Sequence, residues 1–378
     1  MLIKNGLVFN SSTFHFDAKD ILVKNGIISE IGVIDSGSEE IVDVRGARII
    51  PGLVDVHTHG RAGFDFSTCS DEDMHKVARA YAKAGVTCVM PSIASAPLDE
   101  MMSAADGINK FCSNKGEAFF CGVHLEGRYL NPQNRGAHPL PLLAPLDFSE
   151  LDKEILKECK ALHISAAFEL DVDGSFAKEA LSMGATLGLA HTCADYKAAK
   201  LAEQRGVTSY THLFNAMPKM YSRDGGAVCA ALDGSSFAEI ICDGIHVSPE
   251  MVALTYRHTE NKRLVLISDS MEATGCPDGE YTLAGDPVTV INGIARTREG
   301  GLAGSTLTLF NAVKNLISFC NITLEEAIVC ATANPCKEVG IYDRFGSIDV
   351  GKSADLIILS KDDELEIGDV IVRGEFVE

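Results

Sequence analysis

Short apolar, β-branched runs alternate along the middle of the chain with stretches whose apolar residues recur every three to four positions, the pattern of strand and helix in turn. GLVDVHTHG (52–60) reads as a strand and DEDMHKVARAYAKAG (71–85) as a helix stopped at Gly85, with strands again at VTCVMPSIA (86–94) and FFCGVHLEG (119–127). LHISAAFEL, ATLGLAHTC, VTSYTHLFNAM, FAEIICDGIHV and KRLVLISDS bring the strands to eight. That alternation predicts an α/β protein with a parallel (β/α)8, TIM-like barrel. The ends have a different texture. MLIKNGLVF and ILVKNGIISEI are strand-like, with Asn25-Gly26 as a type I′ hairpin turn, and ADLIIL and DVIVRGEFV repeat the pattern in the tail. The expected organisation is a small discontinuous β-sandwich domain from residues 1–50 and 342–378 and a (β/α)8 catalytic barrel over 51–341. After Asp269 the pattern breaks into short strands (YTLAG, PVTVING) and then two helical segments, around LFNAVKNLISF and LEEAIVCATAN.

The 378 residues, 46% hydrophobic and 23% charged, suit one barrel plus one smaller unit. The net charge of -20 repels polyanions, so neither nucleic acid nor an anionic membrane is expected as a partner. An anionic small molecule would need a local basic pocket. No charged start leads into an apolar signal-like run, and no apolar run approaches the ~20 residues of a membrane span. Twelve cysteines without a C-x-x-C pair suggest reduced thiols and a cytoplasmic setting. The triplets at Asn10 and Asn321 match the glycosylation pattern and are read as coincidences in that setting.

The candidate chemistry sits at strand ends. His57 and His59 are two apart on an extended segment, so their imidazoles share a face and can chelate one cation. Taken alone, an H-x-H pair is as often a pair of hydrogen-bonded surface histidines. Glu126 caps the third strand. Barrels of this type often carry a carboxylated lysine on the fourth strand, and LHISAAFEL has no lysine, which makes Glu126 the expected anionic ligand and Glu169 a weaker competitor. His191 and His212 end the fifth and sixth strands, and Asp269 ends the eighth. Any one of these could be a structural histidine or a helix-capping aspartate. Six such groups at the ends of five strands instead describe a metal-dependent hydrolase, with Asp269 as acid/base. Cys193 reads as a small buried residue rather than a soft ligand. The segment 346–353 satisfies the Walker A pattern, yet a strand rather than a helix follows it, so no helix N-terminus would meet a phosphate.

Taken together, IIPGLVDVHTHG (49–60), GVHLEGRYLNPQNRGAHP (122–139), AHTCAD (190–195), THLFNAMPKM (211–220), DGIHVSP (243–249), SDSMEATG (268–275), GGLAGSTLTL (300–309) and GSIDVGKSADLIIL (346–359) resemble the N-acetylglucosamine-6-phosphate deacetylases of the amidohydrolase superfamily. PGLVDVHTH and GKSADLIIL recur across the superfamily and speak for the fold. The HLEG…GAH, HLFNAM and LAGS segments are the more specific ones.

The resemblance implies Glu126, His191 and His212 as ligands of the catalytic metal, with His57 and His59 for a second ion, and Asp269 as the catalytic acid/base. It further implies that His138 and His246 contact the sugar or the scissile carbonyl, that Asn215 and Ala216 contact the phosphate, and that Ala137, Leu302 and Ala303 line the sugar. Arg223 is similar to an arginine that reaches the phosphate across a homodimer interface, a task suited to its planar fork. Relatives often read HLEGPF where this chain has Arg128-Tyr129, an added cation beside a ligand.

The donor set suits Zn²⁺ first, with Fe²⁺, Co²⁺ and Mn²⁺ accepting the same groups, one or two ions per subunit. The leading expectation is metal-dependent deacetylation of N-acetyl-D-glucosamine 6-phosphate to D-glucosamine 6-phosphate and acetate, a step of amino-sugar catabolism. The alternatives are the galactosamine epimer, another amidohydrolase reaction on a phosphorylated or cyclic amide, and a non-catalytic barrel serving as a scaffold.

Overall fold

The computed structural model describes residues 1–35, 37, 39–361 and 365–378. Its centre is a parallel barrel whose strands are β1 (Leu53–Thr58), β2 (Val86–Ile93), β3 (Val123–Glu126), β4 (Leu162–Ala166), β5 (Thr186–Leu189), β6 (Ser209–Tyr210), β7 (Phe237–Ile241) and β8 (Leu264–Ile267). Each pairs with the next in sequence order, all in parallel. The ring closes just past the strand ends, where Asp269 N–H donates to the His57 carbonyl at 3.0 Å and His59 N–H to the Ser270 carbonyl at 2.8 Å. All eight strands expected from the alternation are present. Their residues are buried almost throughout because helices cover the outside and side chains fill the inside.

The first helix shows how local sequence sets these units. Ser70 accepts from Asp73 N–H as N-cap, Asp71–Lys83 buries Met74, Val77, Ala78, Tyr81 and Ala82, and Gly85 at φ 82° turns the chain into β2. Over 324–334 a capped helix, Leu324–Ile328, is followed by a 3₁₀ turn, Val329–Ala331, and by the start of a further helix, Ala333–Glu338.

Strands from both termini form one eight-stranded sheet. Leu2–Asn10 pairs with His15–Lys24, with Ile41–Asp43 and with Arg48–Pro51, and Arg48–Pro51 pairs with Leu356–Leu359. The Asn25-Gly26 turn has φ of 52° and 76°, both positive as a type I′ turn requires. Ile28 N–H also donates to the Lys352 carbonyl, which brings the far edge back toward the tail. Ile3, Val8, Ile21, Ile49, Leu356 and Ile371 share a core separate from the barrel's.

A third unit follows β8. Gly279–Leu283, Asp286–Ile291 and Ile294–Thr297 form an antiparallel sheet around Met271, Leu283, Val288 and Ala303. This excursion hangs beside the barrel mouth and supplies one wall of the cavity described next. Among the described residues no helix is long and apolar enough to cross a membrane, and all twelve cysteines are free thiols. In the 346–353 segment Lys352 Nζ donates to the Tyr342 and Phe345 carbonyls and stands over the Tyr342 ring, and Leu356–Leu359 is a strand. The segment is therefore a structural turn.

Candidate active site

Glu126, at the last position of β3, is the hub. Its Oε1 lies 2.9 Å from His212 Nε2 and 3.3 Å from His191 Nε2, and those two nitrogens are 3.1 Å apart. Its Oε2 lies 2.9 Å from His59 Nε2 and 3.3 Å from His57 Nε2. Asp269 Oδ1 is 3.5 and 3.7 Å from the same two nitrogens. One carboxylate thus faces two pairs of imidazoles, one pair per oxygen.

Tautomers decide what these pairs can hold. His191 Nδ1 is 2.9 Å from the Asn134 carbonyl, which can only accept, so Nδ1 carries the hydrogen. In the neutral form of that ring the lone pair is on Nε2, facing Glu126. His57 Nδ1 donates in the same way to Glu239 Oε2 at 3.1 Å, and His57 Nε2, fully buried, has no hydrogen-bond partner. Lone pairs aimed at a carboxylate at about 3 Å repel unless a positive charge lies between them. The edges of 2.9, 3.1 and 3.3 Å are close to the ~3.3 Å that separates ligand atoms held about 2.0–2.1 Å from a tetrahedral ion. Glu126, His191 and His212 therefore fit a divalent cation, and so do His57, His59 and Asp269.

The protonation tendencies agree. Burial would raise the Glu126 carboxyl, but His57, His191 and His212 outweigh it and hold the group well below the usual carboxylate range. Burial opposes charge on His57, His59 and His212, yet Glu126 pulls all three above the ordinary histidine value. The cluster attracts positive charge at the places a cation would occupy.

The backbone is strained at the same points. His191, His212 and Asp269 have φ of 43°, 32° and 46°, a region that costs a non-glycine residue about 1–3 kcal/mol. Each sits where the chain leaves a strand, and the turn aims its side chain over the barrel axis. Gly136, at φ 57°, passes so close that a Cβ there would lie 2.9 Å from His191 Cε1.

A cavity of about 470 Å³ opens above this cluster. His59, Glu126, Ala137, His138, His191, His212, Asn215, Ala216, His246, Asp269 and Leu302 line it, so most of the residues singled out in the sequence meet there. His57 lies beneath, fully buried. Ala303 packs inside the excursion's own core, with Leu302 and Gly304 on the cavity side. Arg223 is exposed on the 221–224 loop, outside the lining. Arg128 points elsewhere, paired with Glu150 at 2.6 and 3.1 Å. Glu169 is committed to Asn131, Thr192 and the Cys193 amide.

Two histidines have a fixed orientation. Ser95 N–H and Oγ both reach His138 Nδ1, at 3.4 and 2.9 Å, while Ser95 Oγ accepts from Arg128 N–H. The His138 proton is therefore on Nε2. Burial, then the neighbouring His191, keeps the ring well below the ordinary histidine value, hence neutral. His246 Nδ1 is held by Asp243 Oδ2 at 2.6 Å.

Sequence reasoning missed Glu239, buried on β7, which accepts from His57 Nδ1 and from His212 N–H at 3.2 Å. Its signal was an acidic residue inside an otherwise apolar run. Behind it lie His163 and Glu338. Burial, followed by Glu239, pushes Glu338 well above the carboxylate range, and burial lowers His163 to about 4. Leu283, Thr297 and Glu299, brought in by the excursion, were missed as well.

Residues 48–377 match the model of the amidohydrolase family. An N-acetylgalactosamine-6-phosphate deacetylase of Escherichia coli O157:H7 is 33% identical over 95% of this chain and 94% of its own length. An N-acetylglucosamine-6-phosphate deacetylase of Vibrio furnissii is 32% identical over 95% and 91%. A solved structure of a mutant N-acetyl-D-glucosamine-6-phosphate deacetylase from Mycobacterium smegmatis, in complex with N-acetyl-D-glucosamine-6-phosphate, superposes with a TM-score of 0.89 at 26% identity, covering 100% of this chain and 99% of that one.

Proposed function

The chain belongs to the amidohydrolase family, and from that premise we propose that it hydrolyses the acetamide of N-acetyl-D-glucosamine 6-phosphate to D-glucosamine 6-phosphate and acetate. The observation that carries this reading is Glu126, presenting each oxygen to a pair of imidazole nitrogens beside Asp269 on the floor of a sugar-sized cavity. Glu126, His191 and His212 would hold the catalytic cation, and His57 and His59 a second one. Zn²⁺ is the proposed ion, from the imidazole and carboxylate donors. A cation held there supplies Lewis acidity, lowering the pKa of water and polarising a carbonyl oxygen.

The protein's own groups do the rest. His138 offers its Nε2–H to the scissile carbonyl oxygen and stabilises the charge that develops there. Asp269 takes the proton of the attacking water on its carboxylate. It returns that proton to the amide nitrogen as the C–N bond breaks, since an amine anion cannot leave unaided. His246, fixed by Asp243, and Leu302 and Ala137 hold the sugar.

Glu239 orients His57 through Nδ1. Removing such a partner weakens ion binding by about 10–100-fold, so Glu239→Gln is expected to lower ion affinity by that factor in a chelator competition. An affinity equal to that of the wild type would show that the contact is passive.

The phosphate needs a cation. No lysine or arginine is among the residues lining the cavity, whereas Glu126, Asp269 and Glu299 are. Arg223 of a second copy is proposed to meet the phosphate there, with Asn215 and Ala216, in a homodimer. Arg223→Ala is expected to raise KM about 10–100-fold, a loss of roughly 1.5–3 kcal/mol from a charged hydrogen bond, with little change in turnover of substrate lacking the phosphate. Equal KM values for wild type and variant would remove the role, and sedimentation tests the dimer itself.

The galactosamine epimer is a second reading, favoured by the Escherichia coli relative. Acetate release from the two N-acetylhexosamine 6-phosphates, each with and without chelator, tests both. Release that is indifferent to chelator refutes the ion-dependent reaction, and the ratio of rates identifies the epimer.

A further inference from the structure

A small recess of about 20 Å³ adjoins the cavity, and the two share His59, Ala137, His138 and Leu283. Ala94 and Ala284 complete its wall. Beyond Ala284 lies a separate chamber of about 460 Å³, and Ala284 is the one residue that lines both recess and chamber. At the end of Gly279–Leu283, Leu283 lines the cavity and Thr282 the chamber, while Ala284, in the turn that follows at φ 51°, lines both recess and chamber.

We infer that the recess receives the methyl of the substrate's acyl group, and that Leu283 and Ala284 set the longest acyl chain the enzyme hydrolyses. The inference rests on the deacetylase reading and deepens it. An amide carbon carries the sugar nitrogen on one side and the acyl carbon on the other. The proposed sugar and phosphate groups Asn215, Ala216 and His246 line the cavity but not the recess. With the carbonyl oxygen at His138, the acyl carbon is the part of the substrate directed at the recess that His138 helps to wall.

Size and chemistry agree with one methyl. A single water-sized sphere needs roughly 10–15 Å³ on this scale, so about 20 Å³ admits one such group and not two. Three alanines and a leucine make most of the wall, a surface suited to carbon. The chamber behind carries Asp65, Glu100 and Asp286, which repel a carboxylate product. It is space for a neutral chain once the Ala284 methyl is removed, not an exit for acetate.

Ala284 has φ 51°, where glycine fits without strain, so Ala284→Gly removes the dividing methyl at a position that favours the change. Leu283→Ala is the second variant; Leu283 packs in the excursion's core rather than the barrel's. Both are assayed with the wild type on N-acetyl-, N-propionyl- and N-butyrylglucosamine 6-phosphate. The wild type is expected to favour acetyl over propionyl in kcat/KM by roughly 10–200-fold, the usual worth of one methylene. Each variant is expected to narrow that ratio by about tenfold, and Leu283→Ala to gain measurable butyryl turnover. A loose fold would depress all three substrates together and leave the ratio where it was.

Ratios unchanged in both variants, or a wild type that takes propionyl as readily as acetyl, overturn the assignment while leaving deacetylation intact. Absence of acetyl turnover by ion-loaded wild type refutes the deacetylase reading itself and the inference with it.

Discussion

Asp269→Asn is expected to bind its catalytic ion and substrate as the wild type does and to lose turnover by about 10²–10⁴-fold, the worth of a positioned general acid/base. The amide matches the carboxylate in shape, so the strained turn at φ 46° and the Asp269 N–H bond to the His57 carbonyl are untouched. The Glu126, His191 and His212 set does not include Asp269, so the ion held there should survive the loss of charge. What disappears is the basic oxygen that accepts a proton from water and returns it to nitrogen. Elemental analysis, calorimetric titration with substrate and acetate release read the three quantities separately. Turnover within a few-fold of wild type would transfer the proton to another group of the cavity. Loss of that ion would instead make Asp269 a ligand.

Much of this geometry was legible in the residues, because a parallel barrel writes its pattern plainly. Each strand is buried on both faces and each helix on one, so apolar runs and amphipathic stretches take turns along the chain. The mouth of such a barrel is built where strands end, and His57, His59, Glu126, His191, His212 and Asp269 were found by that position alone. The type I′ turn at Asn25-Gly26 was legible for a different reason: few residue pairs accept two positive φ values.

Other features depend on contacts that no local pattern records. Glu239 resembles any polar residue within a strand until the barrel closes and its carboxylate meets His57 from β1 across the interior. The tautomer of His138 follows from Ser95, forty-three positions earlier in the chain. The positive φ at His191 and His212 contradicts local preference and persists only because neighbouring strands over-determine it. Leu283, Thr297 and Glu299 come from an excursion whose strands were legible, while its docking on the mouth was not. Arg128 shows the converse: the sequence set a cation beside a ligand, and the fold neutralises it with Glu150.

Glu126→Gln is expected to empty the site of ions, and its turnover to fall to background. The neutral amide keeps one oxygen and replaces the other with an N–H donor. Whichever imidazole pair meets that donor gains a hydrogen bond and loses the anion a cation needs, and the opposite pair faces only a weak carbonyl acceptor. His57, His59 and His212 also lose the charge that draws them above the ordinary histidine value. His191→Ala is milder in principle: it breaks the Glu126, His191 and His212 set and leaves His57, His59 and Asp269 around an intact carboxylate. The contrast with Asp269→Asn is the useful one, since both variants are inactive but only one is empty. Melting separates them further. An ion at a hundred times its Kd stabilises the folded chain by about 2.7 kcal/mol, so chelator should lower the Tm of wild type and Asp269→Asn and leave Glu126→Gln where it was. A Glu126→Gln protein that retains a full complement of ions and a chelator-sensitive Tm would mean that the histidines alone hold the metal, and that the carboxylate between them serves another purpose.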